Sequence, residues 1–391
     1  LQIQWRERLR LSRSFEWLVI GNAQIVAATC VGLASYRGID RWGFDYCIID
    51  EASKANASEV MIPLSVSRKW MIVGDDKQLP PYYGEVLYDS DALRRFRLSR
   101  EDITYNFFVH MQQNLPVDAK RQLISQYRMV PPIGNLVSEV FYDGNLESRR
   151  PAVPGWWDEW PGSRVTWFST SKRPGVAERR VGTSYQNDIE AEIVVDVLKE
   201  LALMASGSET SVAVITGYAA QLALIGRLLP STRAALGDIR LELSSVDAFQ
   251  GREADVVIFS LVRSNPSGRL GFLEDQERLN VGLSRARELL LIVGSFDFAV
   301  KAGAETAMVR RPAGGENGVM TSASGPGWTG PRSAPVRGLR CGPVRRPEDR
   351  RRRFPRGGCG QTPRGSRRVP TVPFLKGNLH IVALFAIRTS I

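Results

Sequence analysis

Histidine and cysteine are scarce in this chain: of 391 residues, two are His and four are Cys. Two imidazoles, His110 and His380, exclude a His-rich metal centre. Cys30, Cys47, Cys341 and Cys359 are too few and too scattered for a disulfide framework, and no two of them stand at CxxC spacing. Long apolar runs are missing as well. The longest near a terminus, 379–387, is about half of the ~20 residues a membrane helix needs. No signal-peptide pattern opens the chain. These absences point to a cytoplasmic protein with no membrane partner. The first residue is Leu1 rather than Met, within a charged amphipathic stretch, which suggests a fragment.

What is abundant is positive charge, and it is unevenly placed. The net charge is +11, but residues 301–391 hold 18 Lys and Arg against 4 Asp and Glu. Residues 1–300 hold 34 basic against 37 acidic side chains, so the folded part is no basic clamp and nucleic-acid binding must be argued from motifs. The segment 301–391 also has 14 Gly and 10 Pro, which leaves it little to bury and predicts a disordered tail. It reads either as a basic nucleic-acid-binding arm or as a non-native terminus; its apolar end, LHIVALFAIRTSI, favours the second.

Before position 300, short Val- and Ile-rich runs alternate with helical patterns, the signature of an α/β protein with parallel sheets. Strands are expected at 24–29, 44–50, 70–73, 165–168, 212–216, 241–244, 256–261 and 289–293. Helices are expected at 188–203, with Asn187 or Asp188 as N-cap, and at 219–229 and 279–286. The stretch 149–162, with five Pro or Gly and three Trp, reads as a linker between units at 1–148 and 163–300. Trp156, Trp157 and Trp160 suit packing against the second unit better than a stacking platform.

Two motifs carry chemistry. In FDYCIIDEAS (44–53) an apolar strand delivers Asp50 and Glu51 at its C-terminal end, where ligands bind in open parallel sheets. An Asp there can hold Mg2+ on a nucleotide's phosphates, and the adjacent Glu can orient or deprotonate water. WMIVGDDKQLPP (70–81) is a second strand, ending in a loop with Gly74, Asp75 and Gln78. A Gln at that place can accept from a water and donate to a γ-phosphate. Either motif alone also fits a solvated turn; together they are far more specific.

The pair resembles motifs II and III of superfamily 1 helicases, Upf-like branch, and further segments follow in that family's order. LISQYRMVPPIGNLVSEVFYDGNL (123–146), VAVITGYAAQ (212–221), SSVDAFQGREADVVIFSLVRSN (244–265) and GFLEDQERLNVGLSRARELLLIVG (271–294) resemble its later motifs. AATCVG (27–32) resembles its nucleic-acid-contacting strand end. The resemblance covers about residues 20–296. It implies two RecA-like domains, the first incomplete, and an ATP-dependent DNA or RNA helicase or translocase moving 5′→3′ on single strands. ATP and Mg2+ are the implied cofactors. Asp50 would hold the Mg2+ and Glu51 would be the catalytic base. Gln78 would couple the γ-phosphate to motion, and Arg128 and Arg285 would reach in from the second domain as arginine fingers. Tyr127 would stack on adenine, Glu253 would meet the ribose or phosphates, and Gly251 would admit close backbone approach. Thr29, Ser245 and Gln250 are the implied nucleic-acid contacts. Arg263 would add a phosphate contact or a structural salt bridge.

The chain departs from the family pattern in one large respect: no GxxxxGK[ST] occurs in it. That loop cradles the β- and γ-phosphates, so this chain alone is expected to turn over negligibly. The alternative reading is a non-catalytic, helicase-derived nucleic-acid-binding or scaffold protein. Smaller departures are Gly217 for the usual Pro, Gly282 and Ser284 for Ala and Thr, Val130 for His, and Asp76 for a neutral residue.

Overall fold

The computed structural model describes residues 20, 23–36, 43–83, 89–229 and 236–302, with two more strands at 321–322 and 383–386. The rest of the basic tail, and the disorder expected of it, lie outside the described residues. The described residues belong to one compact unit.

The first subdomain runs β1 (Ile25–Ala28), α1 (Cys30–Ala34), β2 (Phe44–Ile49), α2 (Ala57–Ser65) and β3 (Ser67–Ile72). Three helices follow, α3 (Ser90–Phe96), α4 (Arg100–Ile103) and α5 (Phe107–Asn114). Strands β2 and β3 pair in parallel, from Phe44 opposite Ser67 to Ile49 opposite Ile72. Alternate β2 residues Cys47 and Ile49 face α1 and α2 and bury with Cys30, Leu33 and Val60. Between β1 and β2 lies β14 (Ala383–Ala386), antiparallel to both. The end of the sequence read as foreign to the fold therefore supplies a strand to the first sheet. The outer edge of β3 pairs with no other described strand.

Next come β4 (Ser125–Gln126), α6 (Pro131–Phe141) and β5 (Glu147–Ser148). Pro131 and Pro132 open α6, where their missing N–H groups cost nothing. The amphipathic face of α6 buries Ile133, Val137 and Phe141 in one core with Phe249, Phe259 and Ile292 of the second sheet. By core membership α6 thus belongs with the second subdomain, although the sequence reading sets it within 1–148. The apolar face of α6 is what decides: it needs a sheet to cover, and the second sheet is the one it covers. Trp160 packs edge-on against Phe168, and the Trp156 indole donates to Thr210, so the Trp-rich stretch is packing.

The second subdomain contains β6 (Val165–Ser169), the hairpin β7 (Arg179–Val181) and β8 (Ser184–Gln186), and α7 (Asp188–Met204). It continues through β9 (Thr210–Thr216), α8 (Ala219–Leu228), β10 (Ile239–Ser245), α9 (Val246–Phe249) and β11 (Ala254–Ser260). The last elements are α10 (Gln276–Leu283), β12 (Ala286–Gly294), α11 (Phe296–Ala302) and β13 (Thr321–Ser322). Its sheet order is β10-β9-β11-β12-β6-β13, every pair parallel. Along β11, Val257 and Phe259 join the core beneath α6 and α10, while Val256 and Ile258 join the core beneath α7 and α8. Both faces are covered, which explains why these strands read as unbroken apolar runs. Asn187 proves to be the N-cap of α7: its side chain accepts from the Glu190 amide.

Two of the unusual glycines now have a packing reason. A Cβ on Gly282 would stand 2.3 Å from the Phe259 ring, and one on Gly217 would stand 2.4 Å from the Phe272 ring. Larger rings occupy the space that Ala or Pro side chains would fill.

Candidate active site at the strand tips

Asp50 and Glu51 sit immediately beyond β2, and the Gly74–Gln78 loop sits beyond β3. The two tips are laced together. Ala52 N donates to Val73 O at 2.8 Å, and Asp75 N donates to Ser53 Oγ at 3.2 Å. Gly74 lies so close to this turn that a Cβ would stand 2.9 Å from Ser53 N. Glu51 holds a left-handed backbone, φ +53°, a conformation that costs a non-glycine residue on the order of 1–3 kcal/mol. Asp50 Oδ1 accepts from the Glu51 amide at 3.0 Å, which helps to hold that turn. Burial, and then the adjacent Asp50, push the Glu51 carboxyl above the usual glutamate range; Arg285 and Lys54 oppose this. A carboxylate raised in this way is a better proton acceptor.

From the second subdomain, Arg285 enters at the start of β12. It is almost wholly buried. Its Nε donates to Val281 O at 2.9 Å, and its Nη2 donates to Gln78 Oε1 at 3.0 Å and to Ser284 Oγ at 3.1 Å. Burial, with Arg128 adding repulsion, pushes its guanidinium down to about 10, so it stays charged at neutral pH. Gln78 in turn donates through Nε2 to Asp75 Oδ2 at 2.7 Å. With a carboxylate on one side and a guanidinium on the other, only one orientation of this amide is favourable.

Arg128 is held nearby. Its Nε donates to Glu253 Oε2 at 3.0 Å, and Glu253 also accepts from Arg287 at 3.4 Å. Gln126 shapes the turn that presents Arg128, because its Oε1 accepts from the amides of Arg128 and Met129. Tyr127 projects outward with 70% of its surface exposed, leaving its ring face available. Gly251 has φ +78°, so an L side chain at that position would be strained.

The nucleic-acid candidates divide. Thr29 caps α1, its Oγ1 accepting from Gly32 N at 2.8 Å, and Ser245 caps α9, accepting from Ala248 N at 3.3 Å. Both therefore perform ordinary capping, with the hydroxyl proton left to donate elsewhere. Gln250 is buried with neither amide atom hydrogen-bonded. Arg263 is a correction. It is buried, its Nε donates to Glu178 Oε2 at 3.0 Å, and it stacks 4.4 Å over the Tyr185 ring. That geometry is the structural salt bridge, not an open phosphate contact.

Sequence reasoning missed Tyr142 and Asn280. Asp75 Oδ2 accepts from the Tyr142 hydroxyl at 2.5 Å, and Asn280 Nδ2 donates to that hydroxyl at 2.9 Å. The FY pair in the 123–146 segment was the available signal.

Among the described residues no three His, Cys, Asp or Glu side chains converge on a metal-sized site. No described helix is long and apolar enough to cross a membrane.

Two family models, each described as an AAA domain, match residues 2–84 and 103–297. The chain is 31% identical over 295 residues to the regulator of nonsense transcripts 1 homolog of Neurospora crassa, covering 73% of this chain and 26% of that protein. It is 32% identical over 296 residues to the ATP-dependent helicase NAM7 of Saccharomyces cerevisiae, covering 73% and 29%. It is 32% identical over 302 residues to the DNA replication ATP-dependent helicase/nuclease DNA2 of Bos taurus, covering 70% and 27%. The chain thus spans little more than a quarter of the length of these relatives. Ordered motifs, strand-tip acids, buried arginine and relatives agree: the chain belongs to the superfamily 1 helicases, Upf-like branch.

Proposed function

We propose that this chain carries the hydrolytic and strand-contacting residues of an ATP-dependent helicase or translocase acting 5′→3′ on single-stranded DNA or RNA. The observation that carries the reading is the Arg285–Gln78 hydrogen bond beside Glu51, which brings second-subdomain and first-subdomain site residues together. Mg2+ fits here as a cation held by Asp50 plus phosphate oxygens and water, since Mg2+ commonly uses one or two carboxylates and keeps the rest of its shell. When bound, it neutralises developing charge on the phosphates.

In this reading Glu51 orients and deprotonates the attacking water, helped by its raised proton affinity. Gln78 trades its bond to Arg285 for a contact to water and γ-phosphate. Arg285 and Arg128 then stabilise transition-state charge, an effect commonly worth several orders of magnitude in rate. Tyr127 stacks on the base, and Glu253, once free of Arg128, reaches the ribose or phosphates beside Gly251. Thr29 and Ser245 donate hydroxyl protons to the nucleic-acid backbone, and Gln250 brings an amide with unspent hydrogen bonds. Such contacts position a strand without reading its sequence.

The lack of GxxxxGK[ST] favours a second reading, a nucleic-acid-binding protein that does not hydrolyse ATP. Filter binding of labelled single-stranded DNA and RNA separates the two. Affinity that changes several-fold with Mg-ATP supports the helicase reading, and ATP-blind binding supports the scaffold. Turnover is expected only where a phosphate-cradling loop is also present, and there Glu51→Gln abolishes it while sparing nucleic-acid binding. Hydrolysis that survived Glu51→Gln would remove Glu51 as the base.

A further inference from the structure

Three side chains of the second subdomain bond to the five-residue Gly74–Gln78 loop of the first. Arg285 takes Gln78, as described. Asn280 Nδ2 donates to Lys77 O at 2.8 Å, and the Tyr142 hydroxyl donates to Asp75 Oδ2 at 2.5 Å. Neither Tyr142 nor Asn280 has a place in the reading above, and both come from elements packed in the second subdomain's core, Tyr142 at the C-terminal end of α6 and Asn280 within α10.

The hydrogen-bond directions are fixed by chemistry. The Tyr142 hydroxyl donates to Asp75 Oδ2, and the Tyr142 oxygen is left to accept from Asn280 Nδ2 at 2.9 Å. The Asn280 amide then spends both of its protons, on Tyr142 and on Lys77 O, while its buried Oδ1 has no partner. A buried, unpartnered carbonyl oxygen costs on the order of 1–3 kcal/mol, and it is tolerated here in an orientation that serves the other subdomain's loop. At Asp75, the same Oδ2 that takes the Tyr142 proton also takes Gln78 Nε2. Tyr142 therefore acts on the carboxylate that sets which end of the Gln78 amide meets Arg285.

We propose that Tyr142, with Asn280, is a positioning residue that locks the Gly74–Gln78 loop to the second subdomain and holds the two subdomains in their closed relation. The proposal deepens the hydrolytic reading of this loop and rests on it for its catalytic meaning; the lock itself requires no nucleotide. Opening of the cleft breaks the Tyr142 and Asn280 bonds together with the Arg285 bond, so motion at the loop and motion of the subdomains become one event.

The test is an inter-subdomain distance measured by energy transfer in the full chain, with azide-bearing amino acids for dye attachment at the exposed positions Met61 and Leu203. The wild type gives one narrow distribution. Tyr142→Phe keeps the ring and removes the hydroxyl. It is expected to broaden and lengthen the distribution, with the open fraction rising on the order of tenfold, as befits loss of a bond to a charged group. Asn280→Ser attacks the lock from the other side and gives the same change, and the double variant gives little more than either alone. A side chain that merely fills space would lower thermal stability and leave the distance where it was. An unchanged distribution in folded Tyr142→Phe, or fully additive effects in the double variant, overturns the proposal. Adding Mg-ATP and single-stranded DNA to the wild type reports separately on the helicase reading. Loss of that response with the Tyr142 effect intact would sink the function and leave the lock standing.

Discussion

Glu190 offers a test of the second subdomain's physics. Its carboxyl is fully enclosed near the start of α7, and its Oε2 accepts from Ser260 Oγ and from Val262 N, both at 2.8 Å. Burial pushes its pKa from 4.5 up to about 8, against the downward pull of those hydrogen bonds. The folded protein therefore keeps this proton in a range where the unfolded chain has lost it. Because the unfolded state binds fewer protons there, stability falls as pH rises from about 4.5 to about 8, and the full cost is in place above that. Each pH unit within the window is worth about 1.4 kcal/mol, so between pH 5.5 and pH 8 the cost is on the order of 3 kcal/mol. Glu190→Gln has nearly the same shape and an oxygen that accepts the same two bonds, and it carries no charge at any pH. Thermal unfolding of both proteins at pH 5.5, 7 and 8.5 is the assay. At roughly 2–4 °C per kcal/mol, the Gln variant should gain about 6–12 °C relative to the wild type between the ends of the range. Parallel pH profiles for the two proteins would refute the assignment of a neutral, buried Glu190.

Three other outcomes are expected. Gly282→Ala should destabilise the protein by about 1–2 kcal/mol in spite of better helix propensity, because its Cβ meets the Phe259 ring; a rise in melting temperature would show that α10 can shift to admit it. Glu288 is buried between Arg150 and Arg164, so Glu288→Gln leaves Arg150 without its anion and Arg164 with Asp158 alone, and should cost about 3 kcal/mol in urea unfolding; a loss under about 1 kcal/mol would mean that water screens the cluster. Tyr127→Ala should leave unfolding within about 0.5 kcal/mol of wild type, because the ring is exposed, while weakening the ATP-dependent part of nucleic-acid affinity; equal binding by both proteins would remove Tyr127 from the nucleotide site.

Much of the fold was legible in the sequence because its strongest signals are local. The run at 44–50 is β2 to within one residue, and 188–203 is α7 to within one residue. The Thr and Ser before short helices at 29 and 245 are caps, which residue type and position alone suggest. The helix expected at 279–286 runs instead from Gln276 to Leu283, and Ala286 already opens β12. Asp275 caps the helix three residues early, and the Arg285 turn lies between helix and strand. That offset places the guanidinium at the N-terminal end of β12, in reach of Gln78, which helical periodicity could not reveal. Long-range relations were hidden for the same reason. Tyr142 acts on Asp75, 67 residues earlier, and on Asn280, 138 residues later. The strand at Ala383–Ala386 pairs with β1 and β2, more than 300 residues away in the chain. Arg263 read from its motif as either a phosphate contact or a structural salt bridge, and only the fold, which brings Glu178 and Tyr185 around it, decides between them.

The outer edge of β3 also bears on how two copies of the protein could meet. Its row of amides and carbonyls meets no other described strand, and Trp70 and Met71 stand exposed on it beside Arg68 and Lys69. Two such edges brought together would zip into a continuous sheet, the usual hazard of an uncovered strand. At low ionic strength Lys69, and Arg68 so far as its ion pair with Asp45 leaves it, oppose the approach of a second copy. At about 0.1 M salt their repulsion reaches only ~10 Å, and the apolar side chains then set the outcome. The strand whose edge is open to such pairing is thus the one that carries the Gln78 loop.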